Sequence, residues 1–248
     1  MWIVRPALHQ PYTFVVAALL PLMLTLFLIT PGVALSAQPS ASGQGLEGSE
    51  KAPRLVTILV LGDSVTAGYG LPIEQSFPSV LESMLLKSGY AVKVINGGVS
   101  GDTTTEGRTR LPTYFLPSSQ NRPDIVIIEL GANDGLQRRD PTVIEANLDA
   151  MLARIQAEGA RILLIGARAV RNNSPEYIEV FSAIFPRLAA KHNATLYPLL
   201  GTGILGNLEL VQQDRSHPNE KGARIIAQNL YPLVAELIAQ IVRQPQGH

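Results

Sequence analysis

The stretch that most constrains this chain is Val56-Thr57-Ile58-Leu59-Val60-Leu61, an apolar, β-branched run that stops at Gly62-Asp63-Ser64 and passes into Val65-Thr66-Ala67-Gly68. A continuous apolar run bounded by turn residues, without polar alternation, marks a strand buried on both faces. Such a strand belongs in a parallel sheet covered by helices, and the carboxyl edge of that sheet is where ligands bind. Ser64 is therefore expected at the working edge. A helix starting just after it would set unpaired N–H groups beside the hydroxyl. Taken alone, a serine at this point is equally an ordinary helix N-cap.

The rest of the chain repeats the alternation. Glu74 to Ser88 carries Phe77, Val80, Leu81, Met84 and Leu85 at helical spacing, with Gly89 as its C-cap. Val92-Lys93-Val94-Ile95 reads as a second strand, followed by the Gly-rich loop Asn96 to Thr103, which brings backbone close to something. Asp124 to Leu130 is a third strand, and Pro141 to Glu158 a helix ended by Gly159. Arg161 to Ala167 is a fourth strand, and Pro175 to Lys191 a helix that Pro186 should kink. Thr195-Leu196-Tyr197 is a short fifth strand, Leu199 to Ser216 a loop, and Asn219 to Val242 the closing helix. Strands and helices in alternation predict an α/β fold, a three-layer α/β/α sandwich on a parallel sheet of about five strands.

The amino end reads differently. Tyr12 to Thr30 is uncharged and rich in Leu, Val, Phe and Ala, behind Arg5 and ahead of the small-residue tail Ala34-Leu35-Ser36. Residues 1–36 thus have the layout of a signal peptide cut after Ser36 or one residue later. The alternative is an uncleaved anchor through residues 12–30 in the inner membrane. Residues 37–53 read as a flexible linker, 54–243 as the folded domain and 244–248 as a tail. Export to the periplasm or medium follows from the first reading. With 20 basic and 20 acidic residues the formal net charge is zero, so no global field favours nucleic acid. The absence of cysteine removes disulfides, thiolate nucleophiles and thiolate metal sites.

Topology places four polar clusters on one edge of the sheet: Ser64, Gly101-Asp102, Asn133-Asp134 and Asp214-Arg215-Ser216-His217-Pro218. A serine hydroxyl is a poor nucleophile without a base beside it. Among the four histidines, His9 lies in the leader, His248 at the terminus and His192 at a helix end, where a solvated or C-capping role is ordinary. His217 is the candidate base, and Asp214, three residues before it, can fix its tautomer. Acyl transfer also needs donors for a developing oxyanion, and the Ser64 N–H, Gly101 N–H and Asn133 amide come from three strand ends. Singly, Asn133 suits an Asx-turn, Gly101 a turn of positive φ, and Asp-x-x-His-Pro a capped turn.

Taken together, Gly62-Asp63-Ser64, Gly101, Gly131-x-Asn133-Asp134 and Asp214-x-x-His217-Pro218 resemble, in order, the four blocks of the SGNH (GDSL-type) hydrolase family. The likeness runs from about Val56 to Pro232. Ser100-Gly101-Asp102-Thr103, Glu129 to Leu136 and Phe181-Ser182-Ala183-Ile184 are most similar to the bacterial thioesterase I/lysophospholipase L1/arylesterase branch. The resemblance implies a Ser64–His217–Asp214 triad, an oxyanion hole of Ser64, Gly101 and Asn133, a flavodoxin-like sheet, and neither cofactor nor metal. The implied substrate is a small acyl ester or thioester, handled by a monomer that touches lipid at most transiently. Leu136 is expected on the acyl side of the cleft, with Arg138 and Arg139 at its rim. Two departures bear on substrate preference: Arg215 and Ser216 replace the usual glycine and apolar residue, and Ala169 to Asn173 replaces Pro-Pro-Asn-Tyr-Gly.

Three other readings compete. An α/β-hydrolase would need Gly-x-Ser-x-Gly, but Thr66 stands at the second glycine. A carbohydrate acetylesterase of the same family would differ in substrate alone, and a non-catalytic binding domain would have lost a catalytic residue. The leader reading predicts a mature N-terminus at Ala37 or Gln38, checked by N-terminal sequencing of the exported protein; residues 1–30 retained in a membrane fraction would establish the anchor instead.

Overall fold

The computed structural model describes residues 53–120, 122–169 and 172–243. The leader or anchor, the linker up to residue 52 and the tail 244–248 lie outside the described residues. Five strands form one parallel sheet: β1 (Val56–Gly62), β2 (Val92–Gly98), β3 (Ile125–Glu129), β4 (Arg161–Ile165) and β5 (Thr195–Tyr197), in the order β2-β1-β3-β4-β5. Every residue of β1 is buried, because β1 is central and both faces of the sheet are covered.

The two faces divide the apolar runs by parity. Ile58, Val60, Ile125 and Ile127 pack with α2 (Phe77–Lys87) and α7 (Glu220–Arg243), whereas Leu59, Leu61, Val126 and Ile128 pack with α5 (Pro141–Ala157) and α6 (Pro175–Lys191). Three short helices complete the carboxyl edge: α1 (Ser64–Ala67), α3 (Thr104–Arg110) and α4 (Ala132–Leu136). The α/β sandwich and its five strands stand as expected.

Two details differ from the sequence reading. The Glu74–Ser88 segment divides into a 3₁₀ turn (Ile73–Gln75) and α2, because Ser76 is extended and binds back to the Ile73 carbonyl at 2.6 Å. Pro78 then sits in the first turn of α2, where its missing N–H costs nothing. The α6 bounds are those read from the sequence, with Pro186 inside the helix and one backbone donor absent there. Asn96-Gly97-Gly98 is strand rather than loop, since β2 stays in register with β1 up to the Gly62–Gly98 pair.

That pair explains the glycines. A Cβ on Gly98 would lie 2.1 Å from the Ala67 backbone nitrogen, so α1 rests directly on β2. The chain order reverses between β1 and β3, the switch point at which open α/β sheets bind ligands. Ser64 follows β1 and Asn133 follows β3. Replacing Gly98 by Ala should force α1 off the sheet and cost about 3 kcal/mol, as overpacking against backbone does; urea unfolding of the variant measures it.

Candidate active site

Asp63 is the N-cap of α1, its Oδ1 accepting from the Val65 N–H at 3.0 Å. This turn lifts Ser64 out of the strand and leaves its N–H as a helix-start donor. Ser64 Oγ lies 2.8 Å from His217 Nε2, and His217 Nδ1 lies 2.6 Å from Asp214 Oδ2. An ionised carboxylate can only accept, so Nδ1 carries the proton and Nε2 is the acceptor for the serine O–H. The tautomer follows from the hydrogen bonds. The Tyr69 ring lies over the imidazole at 4.6 Å, tilted by 38°.

Asp214 is held by its own turn. Its Oδ1 accepts from the Ser216 and His217 backbone N–H groups at 2.9 and 3.0 Å. These two N–H bonds and the imidazole lower its pKa to about 2. Arg215, between them, has φ of 59°, the left-handed region that favours glycine. The departure at this position is thus accommodated by backbone strain, without altering the Asp–His contact.

The candidate oxyanion donors follow the ends of three neighbouring strands, β1, β2 and β3. Gly101 has φ of 89°, and a Cβ there would meet nothing within 4 Å, so it is there for its backbone conformation. Among the described residues neither the Gly101 nor the Ser64 N–H donates to another backbone or side-chain group. Asn133 Nδ2 donates to the Asp102 carbonyl at 2.8 Å and to Asp63 Oδ2 at 3.2 Å. The first bond fixes the amide. The second, to a buried carboxylate, is the longer of the two.

Around these groups runs a polar ring that the sequence reading did not foresee. Arg110 of α3 pairs with Asp102 at 2.6 Å and donates to the Gly62 carbonyl at 2.8 Å. Glu129, the last residue of β3, accepts from Thr66 Oγ1 at 2.8 Å beneath Ser64. Burial pushes the pKa of Glu129 well above the usual carboxylate range and that of Asp63 upward. Asp134 is a joint rather than a participant: both its oxygens accept from Thr104, at 2.7 and 2.9 Å. The signal for Glu129 was present, a carboxylate closing an otherwise apolar strand.

Other expected residues lie elsewhere. Leu136, at the end of α4, is 59% exposed and lines neither the small cavity of ≈ 10 Å³ at Ser64, Tyr69 and His217 nor the larger one next to it, which shares Val65 and Pro218 with the first. The larger cavity, ≈ 140 Å³, is bounded by Val65, Ala132, Ser216, Leu200 and Ile204, with Arg168 on its wall. Arg138 donates to the Asn172 carbonyl at 3.3 Å and Arg139 to Thr105 Oγ1 at 3.1 Å, so both rim arginines are tied to neighbouring loops. His192 closes α6 but is not solvated; it is buried between Asp149, 2.6 Å away, and Gln156, 2.8 Å away, at the opposite edge of the sheet. The described residues contain no cluster of His, Asp and Glu suited to a metal ion.

A serine hydrogen-bonded to a histidine that is itself oriented by a carboxylate has the nucleophile, base and orienting group that acyl transfer requires. Residues 60–225 match the model of the GDSL-like lipase/acylhydrolase family. The chain belongs to that family. It is 40% identical over 183 residues to an arylesterase of Vibrio mimicus, covering 74% of this chain and 86% of the relative. It is 35% identical over 182 residues to thioesterase 1/protease 1/lysophospholipase L1 of Escherichia coli (strain K12), covering 72% and 85%. The crystal structure of the psychrotrophic esterase EstA from Pseudoalteromonas sp., inhibited by monoethylphosphonate, superimposes with a TM-score of 0.69 at 31% identity, covering 74% of this chain and 98% of that one.

The Asp214 geometry of this GDSL-type hydrolase carries a pH dependence with a definite sign. A carboxylate whose folded pKa is depressed stabilises the fold above its ordinary value of 3.8 and loses that contribution as pH falls through about 2. Asp214→Asn should therefore be less stable than the parent above about pH 4, with the two thermal unfolding curves converging as pH falls towards 2.

Proposed function

We propose that this GDSL-type esterase hydrolyses carboxylic esters and thioesters of short to medium acyl chains through an acyl-enzyme on Ser64. The observation that carries the reading is the continuous relay Ser64 Oγ–His217 Nε2–His217 Nδ1–Asp214 at 2.8 and 2.6 Å; the chain neighbours Val65, Ser216 and Pro218 line a largely apolar cavity next to it. In the proposed reaction His217 Nε2 takes the Ser64 proton as Oγ attacks the carbonyl carbon. The tetrahedral oxyanion is received by the Ser64 and Gly101 N–H groups and the Asn133 amide. Protonated His217, stabilised by Asp214, then gives the proton to the departing alcohol or thiol. Water repeats the sequence on the acyl-enzyme, releasing the acid and regenerating Ser64.

The cavity suits the acyl chain. Its volume, ≈ 140 Å³, is close to that at which an apolar protein cavity accepts a benzene-sized guest, about six carbons. Leu200 and Ile204 supply the apolar wall. Leu136, exposed at the end of α4, is assigned to the mouth, where a longer chain or the leaving group would pass. Thioester and lysophospholipid substrates are included because a relative's printed name carries both activities. We further propose that the protein works as a monomer after export, with residues 1–36 as its leader and only transient contact with lipid.

An ethyl fluorophosphonate probe should label the mature protein on Ser64 and no other serine, read by peptide mass spectrometry. Absence of labelling would overturn the nucleophile. His217→Ala should lower kcat for p-nitrophenyl butyrate by at least about a thousandfold, as loss of a triad base does; survival within tenfold would remove His217 from the mechanism.

Chain length gives an independent measure. Each buried methylene contributes about 0.8 kcal/mol, or about fourfold in kcat/KM. Across p-nitrophenyl esters from acetate to palmitate, kcat/KM should climb to about hexanoate and then level or fall. A rise continuing through palmitate would show a longer acyl site than this cavity.

A further inference from the structure

Glu129 is a deeply buried carboxyl that the proposed reaction leaves without a task. It is 6% exposed, and its neighbour Asp63 is 2% exposed. Glu129 Oε2 reaches the Asp63 backbone N–H at 3.4 Å, each carboxyl acts electrostatically on the other, and neither forms an ion pair with an arginine, lysine or histidine among the described residues. Two carboxylates cannot both remain ionised in contact inside a protein, so one proton is retained between them.

The donors decide where it sits. Asp63 accepts from the Val65 N–H at 3.0 Å and from Asn133 Nδ2 at 3.2 Å. Glu129 accepts from the Thr66 hydroxyl at 2.8 Å and only distantly, at 3.4 Å, from the Asp63 N–H. The charge therefore belongs on Asp63 and the proton on Glu129. Gly62 makes room for the arrangement, since a Cβ there would lie 2.7 Å from Glu129 Oε2.

We propose that Glu129 is a positioning residue, a neutral carboxylic acid that donates to Asp63, accepts from Thr66, and so frees the second Asn133 N–H for the oxyanion. The reason lies in what Asp63 does otherwise. A buried carboxylate lacking that third donor holds the Asn133 N–H tightly and sets an uncompensated negative charge beside the developing oxyanion. The Glu129 proton satisfies Asp63, while the Asp102 carbonyl keeps the amide aimed. Glu129 also borders the cavity assigned to the acyl chain, where a neutral acid leaves the floor uncharged. The kinetic part of this inference rests on the esterase reading; the protonation part does not.

The test compares Glu129→Gln, which keeps one donor and one acceptor, with Glu129→Ala, which keeps neither. Glu129→Gln should retain kcat within about threefold, whereas Glu129→Ala should lose about 10- to 100-fold in kcat, with KM changed less than about twofold. In an Asn133→Ala background, Glu129→Ala should cost less than about threefold more, because the two act through one donor. Full multiplication of the two losses, or an E129Q enzyme as poor as E129A, would overturn the proposal.

Thermal unfolding supplies the arm that needs no hydrolysis and no alanine variant. A proton held by Glu129 in the native state and released in the unfolded chain makes parental stability fall, relative to E129Q, as pH rises above the ordinary value of 4.5. The other charged groups about the pair, Asp63, Asp102, Arg110 and His217, are common to both proteins. The Tm of the parent should thus drop against that of E129Q by several degrees between about pH 5 and pH 8. Parallel curves would show that Glu129 carries no such proton, whatever the outcome of phosphonate labelling.

Discussion

The structure depends on backbone contact at the top of β1, where Gly62 is in register with Gly98 on one side and with Glu129 on the other. Only because two of these positions lack side chains can α1 lie against β2 and Thr66 reach Glu129. The serine then emerges between β2 and β3 rather than above a row of side chains. Each of the three strand ends contributes one candidate donor, and none of those donors needs a long loop to reach the centre. The parallel sheet thus does the positioning through its register, and the short helices α1 and α4 convert strand direction into side-chain direction.

The electrostatics follow from that crowding. Asp63, Asp102, Glu129 and Asp134 are all buried at this edge, and each is handled differently. Asp102 is neutralised by Arg110, Asp134 by two bonds from Thr104, and Asp63 by helix N–H, amide and neighbouring acid. Asp214, by contrast, sits in an accessible turn and has its charge fixed by two backbone N–H groups. The carboxylate that orients His217 is thereby kept ionised by local hydrogen bonds, independent of the buried set. This separation lets the loop carrying Asp214 and His217 vary at Arg215 and Ser216 while the edge of the sheet stays constant.

On the proposed reading, the part of the acyl cavity least fixed by the sheet is its loop wall. The cavity wall comes from residues 199–205 and from Ser216, on loops whose course no strand register dictates. Arg168 stands on the same wall, and Arg138 and Arg139 are anchored to other loops. A family member can therefore keep its relay and change its acyl preference by altering these segments, which is consistent with relatives named for arylesterase and for thioesterase activity.

The sequence by itself determined the parallel sheet, because runs such as Val56–Leu61 and Ile125–Ile128 have no polar face to turn towards water. It also determined the four polar blocks, since a turn that ends a buried strand leaves its side chains at one edge, and that edge is common to every parallel strand. The tertiary structure alone decided what local pattern cannot encode. Glu129 reads locally as a polar strand end; its role as partner of Asp63 and Thr66 depends on β1 and β3 being neighbours, 63 residues apart for the Thr66 contact. Arg110 likewise finds the Gly62 carbonyl across 48 residues. Leu136 lies in sequence beside Asn133 but faces solvent, while the cavity is walled by residues such as Leu200 and Ile204, distant in sequence from Ser64. Sequence proximity sets which residues share a loop; only packing sets which side of the serine that loop lies on.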